Sequence, residues 1–425
     1  MPEANVNQLV GHLFRHEAGK MAAVLTRLLG WRAMDIAEDL VQDTLLKAMS
    51  AWKINGVPEN PTAWLYTVAK RKAVDYLRQQ QVHLKHQSEI NQAVLSEWTL
   101  TPAIHALFLE HEIQDSQLRM MFACCHPSIP YEAQVALTLK TLGGPSAAEI
   151  ANRFFTHEET ITKRIYRARE KIKEENVSLE VPIPAHLPGR LDAVLHTIYL
   201  LFNEGYHSPH PVHLIRHDLC EEAIRLCLLL TKNELTHLPK TNALLALMCF
   251  HASRADSRVD AAGNIILLKD QDRSQWNHAL IEKGKYFLEK AGEGDDISEY
   301  HLEAAIAGCH ALVPSLQETN WVAIERMYSL LLQIKPSPMV QLNHAIALSY
   351  ATSPQTGLNA LDKISGLFHH YLYHATKAEF LVQMGEYAQA HRCYQKAIEL
   401  TGIEAEKKLL IKKMEGLPEF SGNPS

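Results

Sequence analysis

The chain has 425 residues, of which 47% are hydrophobic and 21% charged, and its formal net charge is −6. This composition is that of a globular protein with room for about two to four domains, and it excludes a uniformly basic nucleic-acid coat. We find no apolar run of the roughly 18 residues that a membrane helix needs, and expect no membrane partner. Seven cysteines without a CxxC pair favour reduced thiols in a cytoplasmic protein.

The predicted fold class is all-α, because apolar residues recur at three- and four-residue intervals along nearly the whole sequence. The one short candidate strand is 264–268. The clearest boundary is 177–188, where three prolines each restrict the residue before them. We predict two small helical domains, 1–82 and 113–178, which are joined by a linker, 83–112. A large helical C-terminal domain follows at 179–425, and from about residue 320 it is similar to stacked TPR pairs.

The first distinctive segment is acidic. In "MDIAEDLVQDTLLKA" (34–48), no lysine or arginine occurs between Arg32 and Lys47. The carboxylates of this segment are Asp35, Glu38, Asp39 and Asp43. Such a face repels DNA, and we expect it to face solvent or a basic protein partner.

The next segment, "PTAWLYTVAKRKAVDYLRQQ" (61–80), is basic and aromatic. At 100° per residue, one side is a core face and the other faces outward. The core face holds Leu65, Tyr66, Ala69, Ala73, Tyr76 and Leu77, and the outward side holds Trp64, Thr67, Val68, Arg71, Asp75 and Arg78, flanked by Lys70 and Lys72. This side suits phosphate contacts, with Trp64 stacking on an unpaired base. Alternatively, Trp64 packs on a neighbouring helix. Asp75 either accepts a hydrogen bond from a base amine or pairs with Arg71 or Arg78, and we favour the pair.

A third segment, "PSAAEIANRFFTHEETITKRIYRAREKIKEE" (145–175), predicts a helix-turn-helix. Two capping boxes, Ser146 with Glu149 and Thr156 with Glu159, mark two helix starts. On the second helix, an inward stripe is formed by Ile161, Ile165, Ala168 and Ile172. The candidate DNA contacts on that helix are Thr160, Lys163, Arg164, Arg167 and Lys171. The alternative is a basic surface helix without a partner.

The C-terminal block has two notable patterns. In "GEYAQAHRCYQKAIEL", the small and aromatic residues Gly385, Ala390, Tyr394 and Ala397 have the spacing of half a TPR motif, although a plain antiparallel bundle remains an alternative. Such stacks suit a peptide or protein partner. The run "DQDRSQW" holds Asp270, Gln271, Asp272, Arg273 and Trp276. We interpret it as an ion-pair network that orders the chain, and not as a catalytic site.

Metal and cofactor sites are not predicted. His213, His217 and Cys220 have helical metal-ligand spacing, with His207 and His210 nearby, but prolines interrupt the run and histidine is frequent in this chain. We interpret the run 124–126, Cys-Cys-His, as helix packing. No nucleotide-binding or hydrolase motif occurs.

The order of these segments resembles an extracytoplasmic-function (ECF) RNA polymerase sigma factor. "AEDLVQDTLLKA" is similar to the segment that binds the clamp helices of the polymerase β′ subunit, "PTAWLYTVAKRKAVDYLRQQ" to the −10 region, and "EIANRFFTHEETITKRIYRAREKIK" to the −35 motif. "IYLLFNEGY" and "LLKDQDRSQWN" resemble the subgroup with a long TPR-like extension. One departure is Phe155, which stands where many helix-turn-helices have glycine.

The resemblance implies a sigma factor that is not an enzyme and acts in the cytoplasm. Its partners would be promoter DNA and core RNA polymerase, through the β′ clamp helices and the β subunit. The implied polymerase contacts are Asp35, Glu38, Asp39, Gln42 and Asp43, and the implied −10 contacts are Trp64, Thr67, Lys70, Arg71, Lys72 and Arg78. Two alternatives stay open: a one-component helix-turn-helix regulator with a helical ligand-sensing domain, and an enzyme in the C-terminal block.

Overall fold

The structure is a computed structural model that describes residues 3–87, 97–143, 146–154, 156–206, 215–260 and 262–418. The contacts divide the chain into two units, Met1–Leu200 and Leu201–Ser425. Regular structure in the described residues is helical, and their one β-type pairing is an isolated bridge between Val259 and Ile265. The all-α prediction is therefore confirmed, and the candidate strand 264–268 does not form.

The helices of the first unit follow one another with short connections. They are α1 (Glu3–Leu29), α2 (Met34–Asn55), α3 (Pro61–Gln87), α4 (Glu97–Leu107), α5 (Glu110–Cys124), α6 (Tyr131–Thr138), a π-helical turn (Leu139–Gly143), α7 (Ala147–Arg153), α8 (Glu158–Glu174) and α9 (Leu187–Tyr206). The contact-based boundary at Leu200 falls inside α9. The division at 177–188 stays a prediction about domains.

Helices α1, α2 and α3 share one apolar core, in which Leu65, Ala69 and Ala73 are fully buried as predicted. Val68 was expected on the outward side of α3 but is only 6% exposed. It lies three residues after Leu65 and therefore shares its face. The segment 83–112 was expected to be a linker, yet its described end contributes Ile104 and Phe108 to this core.

The helix-turn-helix forms from α7 and α8. The Ser146 box is confirmed: the Glu149 N–H donates to Ser146 Oγ over 3.1 Å, and the Ser146 N–H donates to Glu149 Oε2 over 2.7 Å. The Thr156 box is wrong, because α8 begins at Glu158 with His157 as N-cap, and no side-chain capping bond forms there. Phe155 lies outside the described residues. The inward stripe of α8 is confirmed, since its four members are buried: Ile161, Ile165, Ala168 and Ile172.

Two close contacts join α1 to the part of the unit that carries the helix-turn-helix. Arg27 Nη1 lies 2.8 Å from Glu112 Oε2 and 3.0 Å from Asp115 Oδ2, both on α5. Gly19 packs directly on the π-helical turn, where a Cβ at this position would lie 2.0 Å from the Leu142 carbonyl oxygen. The absence of a side chain at Gly19 therefore sets how closely these backbones approach.

The second unit continues as antiparallel helices. They are α10 (His217–Leu230), α11 (Pro239–Ser253), α12 (His278–Ala291), α13 (Glu299–Ala311), α14 (Trp321–Ile334), α15 (Pro338–Ala351), α16 (Pro354–Leu361), α17 (Tyr371–Gln383), α18 (Tyr387–Leu400) and α19 (Glu404–Glu415). Between α11 and α12, the chain forms three short 3₁₀ helices: Ala255–Arg258, Leu268–Asp270 and Arg273–Gln275.

The TPR-like spacing corresponds to the turn and second helix of the α17–α18 pair. Gly385 occupies the turn with φ of 80°, which glycine adopts without steric cost. Ala390, Tyr394 and Ala397 are buried. Tyr394 and Ala397 share one apolar cluster with Ala378 of α17 and Leu410 of α19, where the small side chains allow close packing. The seven cysteines are free thiols. None of the described helices combines the length and apolarity that crossing a membrane requires.

We predict that Gly19→Ala destabilises the first unit. The new Cβ has to displace backbone at Leu142, and overpacking of this kind costs about 1–3 kcal/mol. Hydrogen exchange in α1 and in the π-helical turn should speed up in full-length protein. Gly189→Ala is the matched control, since a Cβ there meets nothing within 4 Å and alanine favours the helix. Equal protection in both variants would show that the close approach is not required.

Candidate polymerase and nucleic-acid interfaces

The outward face of α2 is acidic, as predicted, but it also carries an apolar side chain. Asp39 and Gln42 are exposed, and Asp39 forms no ion pair with any described residue. Leu46 lies one turn after Gln42 and is 60% exposed. The sequence analysis missed Leu46, although its spacing of seven residues from Asp39 places both on one side of the helix. A carboxylate beside an exposed leucine suits a basic and partly apolar protein surface.

Two of the predicted polymerase contacts are engaged within the chain. Arg169 of α8 donates from Nη1 to Asp35 Oδ1 and from Nη2 to Glu38 Oε1, both over 2.5 Å. The side chains of Arg169 and Glu38 are only 13% and 16% exposed. Arg169 was not among the candidate contacts selected from the sequence. The structure instead directs it at the acidic face of α2.

The outward side of α3 retains exposed basic groups near its middle and end. Arg71 is exposed and has no ion-pair partner among the described residues. Arg78 is also exposed and lies 3.9 Å from Asp75 Oδ1, which confirms the predicted pairing of Asp75 within the helix. Thr67 is exposed, and its hydroxyl donates to the Ala63 carbonyl over 2.8 Å. These positions remain accessible to a phosphate backbone.

The two lysines of α3 are less available than the sequence indicated. The ammonium of Lys70 lies 5.3 Å from the ring centre of Phe108, and burial lowers its pKa. Lys72 Nζ lies 3.0 Å from Asp43 Oδ2, so that a predicted DNA contact pairs with a predicted polymerase contact. The basic side of α3 and the acidic face of α2 are therefore adjacent.

Trp64 packs on a neighbouring helix. Its ring centre lies 5.4 Å from that of Trp52 on α2, in an edge-to-face arrangement. Trp52 is almost completely buried, whereas Trp64 is only partly buried. The packed-edge alternative is thus confirmed, and the remaining exposed part of the indole is still available for stacking.

The basic residues on the outward face of α8 differ in whether they form an ion pair. Arg167 is exposed and pairs with no described carboxylate. Three others form ion pairs: Lys163 with Glu159, Arg164 with Glu132, and Lys171 with Glu175. Thr160 is partly buried at the start of the helix. Tyr166, which the sequence analysis did not select, is 64% exposed beside Arg167. An arginine next to an exposed tyrosine suits DNA contact.

The remaining candidates are the histidine run and the cysteine pair. His207, His210 and His213 lie outside the described residues, while His217 faces Asp256 at 3.4 Å and Cys220 is buried. Cys124 and Cys125 are buried, as the packing interpretation expected, and burial raises the pKa of the Cys125 thiol to about 11.

The "DQDRSQW" run does not form the expected ion-pair network. Arg273 donates to the carbonyl oxygens of His310 and Val313 over 2.7 and 3.0 Å. Asp272 accepts from the Ser274 backbone N–H over 3.0 Å and caps a short helix. Asp270 is exposed, Gln271 is buried and donates to the Ile266 carbonyl, and Trp276 is buried.

Comparison with known proteins gives two family matches. The model for sigma-70 region 2 matches residues 13–82, which contain the α2 and α3 faces. A second model, for a family of unknown function (DUF6596), matches residues 190–292. No solved structure matches the chain.

Two curated proteins resemble the chain over different lengths. The uncharacterized protein R00370 of Rhizobium meliloti is 32% identical over 376 residues, which is 87% of each chain, and shows a common family. The ECF RNA polymerase sigma-E factor of Haemophilus influenzae is 27% identical over 157 residues, 37% of this chain and 81% of that protein. The region 2 match and the sigma-E relative identify the chain as an extracytoplasmic-function-type sigma factor, and the match to the family of unknown function falls in its helical C-terminal part.

Proposed function

We propose that this sigma factor binds core RNA polymerase through the acidic and apolar face of α2 and directs it to particular promoters through α3 and α8. The observation that carries the proposal is the sigma-70 region 2 match, because it covers both the α2 face and the basic side of α3. The proposed polymerase contacts centre on Asp39, Gln42 and Leu46, and the proposed DNA contacts on Arg71, Arg78 and Arg167. The chain performs no covalent chemistry in this role, and its place of action is the cytoplasm.

The C-terminal extension is proposed to control access of the first unit to polymerase or promoter. Its antiparallel helix pairs are of the kind that bind peptides or protein segments. A one-component regulator is the competing function, and it differs in one property: it binds DNA without needing core polymerase. The acidic and apolar face of α2 favours the sigma factor, since a regulator of that kind has no use for a polymerase-binding face.

Run-off transcription with purified core polymerase tests the proposed function. We expect the full chain to produce transcripts from discrete start sites that core polymerase alone does not produce. Asp39→Lys should reduce core binding and transcript yield severalfold, because it reverses an exposed charge in the proposed contact. Asp295→Lys, an equally exposed reversal in the second unit, is the control. A chain that binds duplex DNA but yields no new transcripts is a regulator and not a sigma factor.

We predict that the double variant Lys163→Ala/Arg167→Ala weakens duplex binding. Loss of an arginine contact to a base costs about 1–3 kcal/mol, and each lost phosphate contact lowers the slope of log affinity against log salt by about 0.9. Arg164 is left intact because its pair with Glu132 joins α8 to α6, whereas the pair of Lys163 with Glu159 lies within α8. Arg392→Ala/Lys396→Ala removes the same charge from the second unit and should change neither quantity. Identical salt slopes for wild type and the α8 variant would remove α8 from the DNA interface.

We also predict that Arg169→Ala increases core polymerase binding severalfold. In the folded chain, Arg169 occupies Asp35 and Glu38, and both carboxylates become available when it is removed. Arg164→Ala is the matched control, because it removes the same side chain from the same helix but breaks a pair with α6. Binding titrations with labelled core enzyme measure the difference. Equal or weaker binding by Arg169→Ala, relative to Arg164→Ala, would show that the pair does not restrict the α2 face.

A further inference from the structure

Two arginines of the second unit flank one buried indole. The guanidinium carbons of Arg254 and Arg273 lie 6.0 and 5.3 Å from the ring centre of Trp276, which is 3% exposed. Arg254 follows the C-terminal end of α11, and Arg273 and Trp276 belong to the "DQDRSQW" run. Both positions, with Trp276, fall within the matched family of unknown function.

The hydrogen-bonding groups around this indole are incompletely satisfied. Arg254 Nε, Trp276 Nε1 and His310 Nδ1 are buried and have no hydrogen-bond partner among the described residues. His310 is adjacent, since its carbonyl oxygen accepts from Arg273 over 2.7 Å. Buried donors without partners are rare in folded proteins, and the two N–H donors of Arg254 and Trp276 at one place call for an unseen acceptor.

The charge at this place is also uncompensated. Neither Arg254 nor Arg273 forms an ion pair with a described carboxylate. The negative charge of Glu318 acts on Arg273 from a distance, and the Glu318 carboxylate accepts a hydrogen bond from Ser315. Burial and then the positive charge of Arg254 lower the pKa of Arg273, and burial with both arginines lowers that of His310 to about 4. The C-terminal end of α11 offsets part of the Arg254 charge but provides no acceptor for its Nε.

Water satisfies buried donors but not buried charge, whereas a small anion satisfies both. We propose that Arg254, Arg273 and Trp276, with His310 beside them, form a binding site for a small oxyanion, either a phosphate or a carboxylate group of a metabolite. Arg273 Nη2 also donates to Thr319 Oγ1 over 3.4 Å, so that Arg273 contributes mainly charge, whereas Arg254 Nε and the indole N–H provide donors for the anion. The site makes the extension a ligand-binding domain, whatever its effect on transcription.

The experiment uses full-length protein with inorganic phosphate and citrate as separate probes, at constant ionic strength set with chloride. Tryptophan residues are replaced by 5-fluorotryptophan, and the ¹⁹F line of Trp276 is assigned with Trp276→Phe. We expect one or both probes to shift that line and raise the midpoint of thermal unfolding. A response to phosphate alone, or to citrate alone, supports the site and identifies the oxyanion class. No response to either probe overturns it.

Arg254→Gln tests whether the response comes from this site. The variant should lose affinity about tenfold or more, the usual effect of losing a charged hydrogen bond, whereas Arg392→Gln, an exposed arginine on α18, should bind as wild type. If Arg254→Gln does not fold, Arg254→Lys is used instead. It keeps the positive charge but lacks the forked guanidinium, and it should bind the probe severalfold more weakly than wild type. Undiminished affinity in the folded Arg254 variant assigns the response elsewhere and overturns the proposal.

Discussion

The paired contact of Arg169 with Asp35 and Glu38 connects two helices of the first unit that are far apart in the sequence. It joins α8, which carries the recognition face, to α2, which carries the acidic face, across more than 130 residues of sequence. Arg169 and Glu38 are both mostly buried. Without Arg169, the mostly buried Glu38 would lose its counter-charge, whereas Asp35 is 65% exposed and would stay in contact with water. The contact therefore holds the two functional faces in a defined arrangement.

Under the proposed function, that arrangement would couple the binding of polymerase to the binding of DNA. Asp35 and Glu38, which pair with Arg169, are not free to bind a basic protein partner. In the same way, Lys72 of α3 pairs with Asp43 and is not free to bind phosphate. A polymerase that binds the α2 face more strongly in an open arrangement would shift the population toward it. The packing of Gly19 on Leu142 and the contacts of Arg27 oppose that shift, because they stabilise the arrangement in which Arg169 contacts α2.

Local patterns in the sequence predicted what local physics determines. The inward stripe of α8, the capping box at Ser146 and the α17–α18 turn at Gly385 each depend on residues within one or two helical turns, and the structure contains all three. The Thr156 capping box is a local failure, since α8 begins one residue later than that box requires. Other failures involve long-range contacts. Lys70 meets Phe108 of the expected linker, and Arg169 meets α2, because tertiary packing decides where a flexible cationic side chain points. No sequence spacing contains that information.

The distance between α2 and α8 in the free chain and in the complex with core polymerase tests this account most directly. Spin labels on unnatural amino acids at the exposed positions Lys47 and Thr162 avoid the seven native cysteines. The account predicts one short distance in the free chain and a clearly longer one when core polymerase is bound. A distribution that core polymerase leaves unchanged would contradict it, because the Arg169 contact would then be compatible with the bound form.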